Sequence, residues 1–141
     1  MTNELEHLAA LAVKLASPNA VIVNEFGFTL DNGGVSLDFF SPGSVTNEVY
    51  CRGCVGELGE RPCPASFAEA ALMGNFFWRA TEGATLSLNE TEHAIYLTDR
   101  FDAGAFADET ALENYANDFL RTLRDWQVRL ETSLETAEVR V

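Results

Sequence analysis

Residues 66–101, SFAEAALMGNFFWRATEGATLSLNETEHAIYLTDRF, decide how the rest of this 141-residue chain is read. The pattern predicts a helix, a glycine stop and two short strands. Ser66 and Glu69 have the spacing of a capping box, in which each side chain takes an orphan backbone N–H at a helix start. Gly83 supplies the left-handed conformation that ends such a helix. At about 100° per residue, Phe67, Ala71, Gly74 and Trp78 share one face, Met73 and Phe77 a second, Leu72 and Phe76 a third. A surface helix carries one apolar stripe, so a helix apolar nearly all round has to be covered from more than one side. A chain this short has little left for that task, and a second copy is the simplest cover. The plainer alternative is the central helix of a monomeric core.

Length and composition set the outer bounds. The chain reads as a single domain over 1–141, with 136–141 as a frayed tail, and is long enough for a core without staples. Nearly half of its residues are apolar, which excludes intrinsic disorder. Nine basic against 22 acidic residues give a net charge of −13. Such a surface repels phosphate backbones, and no Lys/Arg cluster is present to release counterions, so nucleic acid is disfavoured as a partner. Anionic membranes are disfavoured for the same reason. No apolar run reaches transmembrane length, and the acidic start MTNELEHLAAL is unlike a signal peptide, so a cytoplasmic location is expected. Three cysteines are an odd count for a disulfide framework.

Taken in order, Asn3 to Ala16 is an expected helix, capped by Thr2 or Asn3, with Leu5, Leu8, Ala12 and Leu15 inside and Leu11 on a part-exposed flank. Ser17-Pro18-Asn19 stops it. Ala20 to Val23 is a short strand turning near Asn24-Glu25. Phe26, Phe28 and Leu30 alternate towards Asp31-Asn32-Gly33-Gly34, and Val35, Leu37 and Phe39 alternate back, which is a hairpin. A loop at Ser41-Pro42-Gly43-Ser44, a strand over Val45–Val55 and a Gly/Pro-rich link lead to the central helix. Strands at Ala84–Leu88 and Ala94–Phe101 follow, joined by Asn89-Glu90-Thr91-Glu92. The last helix, capped by Asp108 or Thr110, carries Leu112, Ala116, Phe119, Leu123, Trp126, Leu130 and Leu134 on one stripe, with Glu113, Arg121, Arg124, Asp125 and Glu131 facing water. The fold class is α+β. It is an antiparallel twisted sheet of about five strands with three helices, in the order α-β-β-β-α-β-β-α, homodimeric.

No stretch carries a catalytic constellation, so an enzyme is not expected. Cys51-Arg52-Gly53-Cys54 with Cys63 is the one metal- or redox-like spacing, but a zinc site needs four ligands. The pair also lies in a strand, where residues i and i+3 point to opposite faces. No metal or cofactor is expected, and a Cys-based metal or redox protein stays as a minor alternative. His7 and His93, both expected at the surface, have no Ser or Cys nucleophile beside them. What remains is apolar surface. Phe26, Phe28, Val35, Leu37, Phe39, Phe40 and Tyr50 crowd the first strands, and Phe39-Phe40 puts an aromatic on each face of a sheet. Either all are core, or some form an exposed patch or a free edge where another chain adds a strand.

The run Glu48-Val49-Tyr50-Cys51-Arg52-Gly53-Cys54-Val55-Gly56-Glu57-Leu58 resembles the third strand of the class I type III secretion chaperones, the CesT/Tir-chaperone family. So do the helix pattern Leu72-Met73-Gly74-Asn75-Phe76-Phe77-Trp78, the turn Glu82-Gly83-Ala84, the strand at 86–88 and Arg100-Phe101-Asp102 before the last helix. The cysteine- and proline-bearing link Gly59 to Pro64 is longer than the family pattern. The resemblance implies a homodimeric chaperone in the cytoplasm of a Gram-negative bacterium. It binds the N-terminal segment of one or more secreted effectors and keeps it extended, soluble and competent for secretion. The secretion-system ATPase is a further partner the resemblance admits. By the same resemblance, Phe77, Trp78, Leu86 and Leu88 belong to the dimer interface. Leu8, Leu11, Val23, Phe26, Phe28, Leu37 and Phe39 are the effector-binding candidates. A generic dimeric adaptor of the same fold is the alternative.

Overall fold

The computed structural model describes residues 3–15, 20–41 and 48–139. Along the chain run α1 (Asn3–Lys14), β1 (Ala20–Val23), β2 (Gly27–Asn32), β3 (Val35–Phe40), β4 (Glu48–Glu57) and α2 (Ala65–Asn75). A short 3-10 turn (Phe76–Trp78), β5 (Thr85–Asn89), β6 (Ala94–Asp102) and α3 (Glu109–Val139) complete it. The expected Thr2 cap, the stop at Ser17-Pro18-Asn19, the loop Pro42-Gly43-Ser44 and the strand start at Val45 lie outside the described residues.

The class is α+β, and the sheet has six strands in the order β1-β2-β3-β4-β6-β5. The short strand read at Ala20–Val23 is a full member, paired antiparallel with β2 from Ala20↔Asp31 to Val23↔Phe28, and brings the count from about five to six. The chain divides into two compact units. One holds residues up to Gly53 together with Asp99–Asp118, the other Cys54–Thr98 and Phe119 onward.

In the first unit the β2–β3 hairpin turns at Gly33-Gly34, whose φ values of 62° and 84° suit glycine and the tight turns that match strand twist. Register sets Phe28 opposite Phe39 and Leu30 opposite Leu37, and alternation sends these four to the buried face with Val49 and Cys51. From α1, Leu5, Leu8, Leu11, Ala12 and Leu15 are buried; Leu11 is inside and not on the flank, because the helix buries a wider arc than one stripe. Phe101, Phe106 and Tyr115 close the cluster edge-on or tilted around Phe39. Asp108 caps α3, its Oδ1 accepting the Ala111 N–H at 2.9 Å.

In the second unit α2 starts one residue before Ser66. The Pro64 carbonyl accepts the Ala68 N–H at 3.0 Å, so Pro64 is the N-cap, no side chain caps the helix, and the expected Ser66–Glu69 box does not form. The helix stops at Asn75, well before Gly83, for a reason given below. Later α3 residues Phe119, Leu123, Trp126 and Leu130 are buried, while Arg121, Arg124, Asp125 and Glu131 are exposed as expected. The helix continues to Val139, past the point where a frayed tail was expected. His93 is in the turn before β6 and half-buried, not exposed: its ring Nε2 lies 2.7 Å from the Arg61 carbonyl, tying the 58–63 loop to that turn. No helix among the described residues is long and apolar enough to cross a membrane.

Candidate functional site

The second unit leaves two of the three apolar faces of α2 uncovered. Phe67 and Gly74 are buried against Trp126, whose ring meets Phe67 edge-on at 5.9 Å. The approach at Gly74 is so close that a Cβ there would lie 2.7 Å from the Trp126 ring. Trp126 also donates its indole N–H to the Ala80 carbonyl at 3.0 Å, which holds the chain after the helix. The other faces carry Leu72, Met73 and Phe76, 64–74% exposed, and continue into Phe77 at 70%, Trp78 at 51% and Leu88 at 49%. Six large apolar side chains on this helix, its turn and the next strand are thus about half or more exposed, and clustered apolar exposure of this kind marks interaction surfaces.

Two side chains hold this patch in place. Asn75 turns its amide onto β5: Nδ2 donates to the Leu86 carbonyl at 3.0 Å, and Oδ1 accepts the Leu86 N–H at 2.9 Å. Trp78 donates its Nε1–H to Thr85 Oγ1 at 3.1 Å. Between them the backbone leaves the helix, with Phe77 and Trp78 at φ 51° and 54°. Bulky residues rarely adopt this left-handed conformation, which costs on the order of 1–3 kcal/mol each. That reversal ends α2 early. Of the four interface candidates, Phe77, Trp78 and Leu88 are exposed and Leu86 is buried. The periodicity reading named Leu72, Met73 and Phe76 as extra apolar faces without making them interface candidates, and they are as bare as Phe77.

The first unit has a smaller apolar surface at the β1–β2 corner. Asn24 Oδ1 accepts the N–H groups of Phe26 and Gly27 at 2.8 and 3.0 Å, and its own N–H bonds the Gly27 carbonyl. This turn holds Phe26 outward, 69% exposed; Val23 and Ile22 are exposed too, and their register opposite Phe28 and Thr29 puts them on opposite faces of the edge strand. The remaining effector candidates, Leu8, Leu11, Phe28, Leu37 and Phe39, are buried, with Phe28 and Phe39 stacked at 4.7 Å. Ile22 was missed because a four-residue apolar strand gives no alternation from which to read a face.

The opposite sheet face of this unit is neither core nor bare. Phe40 stacks on Tyr50 at 5.6 Å and the Arg52 guanidinium lies over the Phe40 ring. Arg52 pairs with Asp38, which also accepts the Thr29 hydroxyl at 2.8 Å. Cys51 is on the buried face and its thiol is pushed well up, first by burial and then by the Asp99 charge. Tyr115 donates to Asp99 Oδ2 at 2.6 Å, and its phenol is likewise pushed up, chiefly by burial. None of the three cysteines is in a disulfide, and the described residues hold no group of His, Cys, Asp or Glu placed to bind a metal ion.

A model of the Tir chaperone protein (CesT) family matches residues 27–127 of this sequence. A search of curated proteins gives no match. Among solved structures, the chain is similar to one in the ExsC–ExsE complex, with 14% identity, a TM-score of 0.61, and 92% of this chain and 97% of that one covered. It is also similar to a chain in the Yersinia pestis type III secretion chaperone SycH bound to a fragment of YscM2, with 16% identity, a TM-score of 0.61, and 87% and 98% covered. A third likeness is to a chain of the ExoU–SpcU complex from the type III secretion system of Pseudomonas aeruginosa, at 17% identity, TM-score 0.57, and 78% and 84% covered.

Proposed function

We propose that this chain, which belongs to the Tir chaperone protein (CesT) family, acts as a homodimeric type III secretion chaperone. It holds the N-terminal segment of a secreted effector extended, soluble and ready for export. The family match over residues 27–127 carries this reading. The bare apolar surfaces are what such a task needs. It works in the cytoplasm of a Gram-negative bacterium, catalyses nothing itself, and delivers its client to the secretion apparatus, whose ATPase is a further partner.

The two surfaces divide the work. Phe77, Trp78 and Leu88, extended by Leu72, Met73 and Phe76, meet a second copy. Val23 and Phe26 take the client, with Ile22 on the other face of the same edge strand, and the buried candidates Leu8, Leu11, Phe28, Leu37 and Phe39 lie within. Pinning an unfolded segment costs roughly 1–2 kcal/mol of ordering entropy per residue. Strand pairing at an edge and burial of a few large side chains, at about 25 cal/mol per Å², offset it. The charge of −13 steers basic client segments and keeps the complex dissolved.

The test starts from the secreted protein that co-purifies with this chain from its own cells. Its isolated N-terminal segment, unfolded alone, is expected to bind, and Val23→Asp with Phe26→Asp to weaken binding more than about tenfold while circular dichroism stays unchanged. Binding only to the intact folded partner would identify a generic adaptor instead.

A further inference from the structure

We propose that Asn75 is a positioning residue that closes the β5 edge of the sheet. A second copy is thereby made to join through side chains of the aromatic turn, not by adding a strand to β5. The consequence for assembly rests on the dimeric reading above; the closure itself rests on geometry within one chain.

Strand β5 ends the sheet beyond β6. In an antiparallel pair, opposed residues alternate between bonding one another and turning their N–H and C=O groups away from the partner. Leu86 lies opposite Leu97, and both of its backbone groups go to the Asn75 side chain. Leu86 is therefore an outward-turned position, and so, two residues either way, are Ala84 and Leu88. The Ala84 N–H is already taken by the Thr81 carbonyl at 3.0 Å. Of the outward positions, Leu88 alone keeps both groups for an incoming chain.

A primary amide offers one donor and one acceptor side by side, as a strand residue does, so Asn75 stands where the central residue of an added strand would lie. An ordinary strand is about five or six residues long. One free residue on the edge cannot support that. Asparagine suits the place: aspartate lacks the donor, and glutamine is a methylene longer. The same amide fixes the end of α2, and Trp78 on Thr85 makes a second tie one residue away. The turn that displays Phe76, Phe77 and Trp78 is thus the turn that covers the edge. An apolar edge strand is ordinarily a template for indiscriminate pairing. Here its backbone is occupied while its flanking side chains stay in reach.

The test combines amide hydrogen exchange with sedimentation over a range of concentration, on the wild-type chain, Asn75→Ala and Asn75→Asp. In the wild type the Leu86 amide is expected to be protected relative to the Leu88 amide. In Asn75→Ala, Leu86 exchange speeds up roughly tenfold, the factor carried by one hydrogen bond of ordinary strength, and species larger than a dimer appear as concentration rises. Asn75→Asp keeps the acceptor but sets a carboxylate oxygen against the Leu86 carbonyl, so Leu86 exchange is expected to fall between wild type and Asn75→Ala. Equal exchange at Leu86 and Leu88 in the wild type overturns the proposal without any variant, as does a folded Asn75→Ala that neither exchanges faster nor grows larger. A wild-type chain that sediments as a monomer overturns the dimeric reading instead, and the Leu86–Leu88 contrast still decides the role of Asn75.

Discussion

An aromatic cluster in the first unit and the aromatic turn in the second are used in opposite ways. In the first, Phe28, Phe39, Phe101, Phe106 and Tyr115 each touch another ring, and Phe28 and Phe39 are almost wholly buried. In the second, Phe76 and Phe77 touch only one another among ring contacts of the described residues, and with Trp78 they face water. Composition does not separate the two sets. Backbone period does: a hairpin places opposed residues on one face together, so Phe28 and Phe39 bury each other. A helix with three apolar faces can satisfy one against its own chain and must leave the others bare. Apolar residues at period two are here self-sufficient, and those wrapped round a helix are not.

The largest expected effect sharpens that contrast. Phe39→Asp puts an unpaired charge into a close-packed site, where truncation alone costs about 3–5 kcal/mol, so the protein should lose its native circular dichroism. Trp78→Arg should leave the protomer folded, losing about 1 kcal/mol with the Thr85 bond, but halve the mass measured by light scattering. A folded Phe39→Asp would break the comparison from one side, and a still-dimeric Trp78→Arg from the other. Next in size, Gly74→Ala drives a methyl into the Trp126 ring and should lower stability by about 1–3 kcal/mol in urea titration. An unchanged midpoint would mean that the covered face of α2 is loosely packed.

The smallest effect is one of pH. Burial holds the Cys51 thiol and the Tyr115 phenol above their ordinary 9.0 and 10.0. The unfolded chain therefore releases these protons first as pH rises, the folded chain binds more of them, and stability should fall through the alkaline range while staying flat below it. Tyr115→Phe should cost about 1 kcal/mol at neutral pH for the lost bond to Asp99 and make the alkaline fall shallower. Urea midpoints from about pH 8 to pH 11 check both.

Much of this was legible in the chain. Gly33-Gly34 between two alternating runs reads directly as the hairpin it is, and the stripe from Leu112 to Leu130 reads as a buried helix face. The uncovered faces of α2 followed from counting apolar positions around a helix. The end of α2 did not. Its stop is made where Phe77 and Trp78 reverse the backbone beside Asn75, which bonds a residue eleven positions later, and local pattern carries no trace of a pairing that only the folded sheet creates. The same holds for the burial of Leu11, Phe28, Leu37 and Phe39, whereas Leu8 already read as an inner position of the first helix. Periodicity assigns residues to a common face, but burial of that face depends on what the rest of the unit lays over it. Val23 and Phe26, in contrast, lie before residue 27, where the family match begins. The most exposed client-side candidates thus fall where the family pattern no longer dictates the residue.

Asn24 brings one more consequence. By bonding the N–H groups of Phe26 and Gly27 it fixes the backbone from which an exposed aromatic side chain projects. On the proposed reading, a client landing there meets a backbone already ordered, so on the host's side it is the ring's own rotamers that lose freedom on capture. On that reading, exchanging the ring is expected to change which polypeptides are held while the Asn24 turn beneath it stays as it is.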